Sequence, residues 1–92
     1  MPSRTVTLTN PTGLHARPAK LFAQAVAESG HKVRLTKGDN TVNARSVLSV
    51  LTLDCHQGDQ VTIEVEGDDA EAVLASLVGL VASGLGEGQH GS

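Results

Sequence analysis

With 92 residues, 39% hydrophobic and 18% charged, the chain suits one domain around one core and is too apolar to remain disordered. A single Phe22, no Trp and no Tyr remove the stacking platforms on which single-stranded nucleic acid binds, so nucleic acid is not an expected partner. The net charge of −3 covers an asymmetry that suits a basic surface for an acidic partner: all seven Lys and Arg fall in residues 1–45, and most of the acids follow.

Thr5, Val6, Thr7, Leu8 and Thr9 alternate with β-branched residues, predicting a strand over 4–9 with one buried face. Asn10-Pro11-Thr12-Gly13 is turn chemistry. Ala19, Phe22, Ala23 and Val26 then recur on one helical face from Ala16 to a closing Gly30. Val33 and Leu35 mark a second strand over 32–36, which reverses through Lys37-Gly38-Asp39-Asn40 into 41–43.

Ser46 is placed to N-cap a short helix from Val47 to about Leu53. Val61, Ile63 and Val65 predict a strand over 60–66. Asp68 with Glu71 resembles a capping box for a last helix bearing Ala70, Val73, Leu77, Leu80 and Val81, which ends near Ser83-Gly84. The order is βαββαβα, an α+β domain over 1–88 with a mostly antiparallel sheet. The Gly-rich end has nothing to bury from residue 86 on, and 89–92 are expected to be a flexible tail.

The lone Cys55 makes no internal disulfide, and no apolar run reaches the ~20 residues of a membrane span. No signal-peptide core follows Met1, so a cytoplasmic location without membrane insertion is expected.

The chemistry concentrates in Gly13-Leu14-His15-Ala16-Arg17-Pro18-Ala19, which joins the first strand to the first helix. His15 falls at or beside the helix N-cap, where the backbone N–H groups of Ala16 and Arg17 and the helix dipole make an anion site. Pro18 fits the first turn, where its missing N–H costs nothing. Arg17 brings a planar cation matched to phosphate oxygens. The helix N-terminus disfavours imidazolium, so His15 is expected to be neutral and nucleophilic at physiological pH. No second acid or base stands near it in sequence, which favours a carrier over a self-sufficient hydrolase.

This stretch resembles the active-site signature of HPr, the histidine phosphocarrier family of the bacterial phosphoenolpyruvate-dependent sugar phosphotransferase system. The similarity continues through Thr41-Val42-Asn43-Ala44-Arg45-Ser46-Val47-Leu48, Gly58, Val61-Thr62-Ile63 and the closing helix, roughly residues 3–87. The resemblance implies an open-faced β-sandwich: four antiparallel strands in the order 1-4-2-3, with three helices on one face. It implies that Enzyme I phosphorylates Nδ1 of His15, that Arg17 and the Ala16 and Arg17 amides hold the phosphoryl oxygens, and that enzyme IIA domains receive the group.

Ser46 matches the serine modified by HPr kinase/phosphorylase, which adds that kinase and a catabolite-control regulator to the implied partners. Val47, Leu48 and Leu51, rimmed by Arg17, Lys20 and Arg45, match the family's docking patch. A monomer without cofactor or metal is expected, because Cys55-His56 and two distant histidines lack ligand spacing; Cys55, His56, His31 and His90 all read as loop or surface residues. Asp54 and Ser49 stand where the family commonly has Gly. Asp54 is expected to alter the shape of the loop 54–57 and binding at the neighbouring patch, which leaves the assignment of His15 as it is. The alternatives are a regulatory HPr paralogue in a nitrogen branch or in carbon-catabolite control, a small phosphate-handling hydrolase, and a binding module acting through Leu48.

Overall fold

Strand alternation and helical periodicity resolve into seven elements in a computed structural model that describes residues 2–85. They are β1 (Ser3–Thr7), α1 (Ala16–Ser29), β2 (Lys32–Lys37), β3 (Asn40–Asn43), α2 (Val47–Thr52), β4 (Gln60–Glu66) and α3 (Ala70–Ala82). The four strands form one antiparallel sheet in the order β1-β4-β2-β3. This is the α+β, HPr-like open-faced sandwich that the resemblance implied.

Register explains why only one face is covered. Leu35 pairs with Ile63 and Val33 with Val65, and these side chains, with Val61, are buried against the helices. α3 packs on β4 and β1, α2 on β3, and α1 lies against both helices, its Pro18, Ala19, Phe22, Ala23 and Val26 turned inward. The other face is polar. Thr5 meets Thr62 and Thr36 meets Thr41 through hydroxyl pairs at 2.9 Å, and Arg34 lies between Glu64 and Glu66.

The boundaries depart from expectation at two places. β1 ends at Thr7 because the backbone of Leu8 exchanges hydrogen bonds with the 58–59 loop: Leu8 N–H donates to Asp59 O at 2.9 Å and Gly58 N–H to Leu8 O at 2.7 Å. α3 is capped by Asp69 in the left-handed conformation (φ 59°), without a side-chain cap. The Asp68–Glu71 capping box is therefore not formed; the Asp68 carbonyl instead meets the ring of His31. Cys55, expected as a loop residue, is in a loop but fully buried in the core. The expected tail, the domain end at residue 88 and His90 lie outside the described residues.

Candidate functional site

Asn10 and Gly13 build the turn that presents His15. Gly13 N–H donates to Asn10 O at 3.1 Å, and the buried amide of Asn10 donates back to Gly13 O at 2.7 Å. Leu14 is fully buried, and its N–H donates to Cys55 O at 3.1 Å, tying this loop to the one after α2. Gly13 sits at φ 62°, and a Cβ there would lie 2.3 Å from Cys55 O and 2.7 Å from His56 Cα. Only glycine lets the two loops approach this closely. The next residue, anchored by Leu14 on one side and by α1 on the other, is His15.

His15 is the N-cap of α1, with extended backbone and no side-chain cap on the first-turn amides. Ala16 and Arg17 are exposed at that terminus, and Arg17 has no ion-pair partner among the described residues. Ala16 adopts φ 51°, a conformation that L-residues rarely hold. The helix end therefore offers uncapped donors beside an unpaired cation, as an anion site requires.

The His15 ring lies between two acceptors. Nδ1 is 2.9 Å from the Thr12 carbonyl oxygen, and Nε2 is 2.9 Å from Oδ1 of Asp54. A carbonyl and an ionised carboxylate only accept, so with Asp54 ionised the contacts suit a ring with N–H on both nitrogens. The pKa of His15 is accordingly raised above the ordinary 6.5, by the Thr12 carbonyl first and the Asp54 carboxylate second. Asp54 is correspondingly lowered, chiefly by its bond to His15.

Two expectations are corrected here. The Thr12 and Asp54 acceptors favour imidazolium relative to a free histidine, the opposite of the direction expected from the helix N-terminus. An acidic partner, remote in sequence, does stand beside His15: Asp54.

Asp54 reaches the ring because it follows α2 in a left-handed conformation (φ 53°), with its N–H bonded to Leu51 O and its own carbonyl bonded by Lys37 Nζ at 2.8 Å. His56 joins the group. Its Nε2 is 3.4 Å from the same Asp54 oxygen, and its ring is tilted against that of His15 at a centroid distance of 4.9 Å. His56 N–H is in turn fixed on Asp59 Oδ2 at 2.8 Å. The one sequence signal near this cluster is Asp54, which stands where the family commonly has Gly; nothing in the sequence marks His56.

Ser46 caps α2 as expected, its hydroxyl accepting from Ser49 N–H at 3.3 Å. Leu48 is 76% exposed, the one large exposed apolar side chain among the described residues, while Val47 and Leu51 are half-buried. Lys20 and Arg45 are exposed. None of these five side chains is hydrogen-bonded or ion-paired to the His15 ring.

Comparison with known proteins shows what the chain is similar to. A family model described as the PTS HPr component phosphorylation site matches residues 2–83. The phosphocarrier protein HPr of Streptomyces coelicolor is 43% identical over 76 residues, 82% of this chain and 82% of its own. HPr-C-His from Thermoanaerobacter tengcongensis superposes with a TM-score of 0.90 at 39% identity, covering 95% of this chain and 98% of that one. HPr from Bacillus anthracis gives a TM-score of 0.83 at 35% identity, covering 87% and 95%.

Proposed function

The chain belongs to the HPr family of phosphocarriers, and on that footing we propose that His15 takes a phosphoryl group on Nδ1 from Enzyme I and gives it to enzyme IIA domains in phosphoenolpyruvate-dependent sugar transport. The observation that carries this reading is the pairing of His15 Nε2 with Asp54 at an uncapped helix N-terminus. When the ring loses one proton, the charge-assisted bond keeps hydrogen on Nε2, so the lone pair falls on Nδ1. As the ring leaves Thr12, that lone pair attacks phosphorus. A P–N bond forms as the donor's bond to phosphorus breaks, and the oxygens are received by the first-turn amides and Arg17.

The protein is both substrate and product in this cycle, and not an enzyme itself. It works as a cytoplasmic monomer, docking partners through Leu48, Val47 and Leu51 with Lys20, Arg17 and Arg45 around them; among the described residues no helix is long and apolar enough to cross a membrane. Ser46, at the N-cap of α2 beside Val47, is where phosphorylation by HPr kinase/phosphorylase would regulate docking.

Incubation with labelled phosphoenolpyruvate and Enzyme I tests the proposal. One acid-labile phosphoryl group per chain is expected, and none on His15→Ala, which should fold normally because the ring packs in no core. Label retained by His15→Ala, or steady release of phosphate, would contradict it.

A further inference from the structure

The cluster of His15, Asp54 and His56 has a chemistry that phosphoryl transfer does not use. One donor atom from each of the three residues lies within 4.8 Å of the other two, and all three side chains are accessible to solvent. A tetrahedral Zn²⁺ takes imidazole nitrogen at about 2.0–2.1 Å and carboxylate oxygen at about 2.0–2.2 Å, which sets its ligands roughly 3.3 Å apart. Oδ1 of Asp54 stands 2.9 Å from His15 Nε2 and 3.4 Å from His56 Nε2, so both separations are near a tetrahedral edge, and the donor atoms of the two histidines lie within 4.8 Å of each other.

The outer partners point the same way. A ligating histidine characteristically gives its other ring nitrogen to a carbonyl or a carboxylate, which fixes the ring. His15 Nδ1 is on the Thr12 carbonyl at 2.9 Å, and His56 Nδ1 faces Asp59 Oδ2 at 3.7 Å. The backbone beneath is clamped by the contact of Gly13 with Cys55 and His56, so the two loops that bear the ligands are held together before any ion arrives.

We propose that His15, Asp54 and His56 form a binding site for a transition-metal dication of the Zn²⁺ class, with the fourth position open to water. Two imidazoles and one carboxylate select such an ion over Mg²⁺ or Ca²⁺, which prefer all-oxygen sites. A metal on Nε2 of His15 leaves the remaining ring proton on Nδ1, bonded to Thr12. The nitrogen that should attack phosphorus then has no lone pair, so the bound ion silences phosphoryl acceptance. That consequence rests on the proposed phosphocarrier role; the binding does not.

Calorimetric titration of the full chain with Zn²⁺ alone tests the site. One ion per chain is expected, with affinity falling about tenfold or more in His56→Ala and in Asp54→Asn, the range that loss of even an outer-shell partner produces. Absence of one-to-one binding, or an affinity in both variants equal to that of the native chain, would overturn the site. The second arm follows phosphorylation by Enzyme I with and without Zn²⁺. Zn²⁺ should slow labelling of the native chain and leave His56→Ala unaffected. Equal slowing of both would place the inhibition on Enzyme I and overturn the silencing. No labelling of either without metal would instead reject the phosphocarrier role, with the titration still deciding the site.

Discussion

The proton that His15 must shed before Nδ1 can attack phosphorus is held on the ring by the Thr12 carbonyl first and by the Asp54 carboxylate second. The raised pKa means that imidazolium persists to higher pH than in a free histidine, so phosphoryl acceptance should rise with pH through an inflection above 6.5. Asp54→Asn removes the carboxylate but keeps Thr12. In an NMR titration of the His15 ring its inflection should move down toward the ordinary value without passing below it; an unchanged inflection would show that Asp54 does not act on the ring. The place of His15 at the N-terminus of α1, with Arg17 in the first turn, could be read from a single heptad, because the turn and helix signals lie next to each other in sequence. Asp54 and His56 could not. Their role depends on a loop approach set by a missing Cβ at Gly13, and no periodicity or spacing encodes which backbone that glycine will meet.

Elements formed where local signals agreed. α1 ends at Gly30 in the left-handed conformation, β4 runs over the expected residues, and Ser46 caps α2. They shifted where a distant segment took the backbone groups: Leu8 bonded the 58–59 loop in place of extending β1, and α3 is capped by Asp69, one residue after the expected Asp68. The join between elements is where stability and site meet. Gly13→Ala should lose about 1–2 kcal/mol to the left-handed backbone alone. It should lose more from the clash with Cys55, seen as a lowered thermal midpoint and a displaced 54–56 loop. At α2, Ser46→Asp should add about 0.3–1 kcal/mol through the helix dipole while keeping a capping oxygen. The same charge beside Val47 should slow phosphorylation by an acidic Enzyme I surface. Earlier unfolding together with normal acceptance would leave Ser46 as a cap without a regulatory role.

Across the whole molecule the two faces of the sheet divide the work. The open face is closed off by threonine pairs and the Arg34–Glu64–Glu66 ion pairs, whereas the helical layer carries His15 at one helix end and the exposed Leu48 on another. An apolar side chain 76% exposed contributes little to folding, so Leu48→Ala should change stability by less than about 0.5 kcal/mol. It should nevertheless raise the KM of Enzyme I for this protein, and an unchanged KM would remove Leu48 from the docking surface. The central claim, that Nδ1 of His15 carries the phosphoryl group while Asp54 keeps the proton on Nε2, is tested most directly by ¹⁵N and ³¹P NMR of the protein phosphorylated by Enzyme I with its histidines labelled. The account predicts one phosphoryl group, coupled to Nδ1 of His15, with Nε2 still protonated. A phosphoryl group on Nε2, or on any residue other than His15, would contradict it.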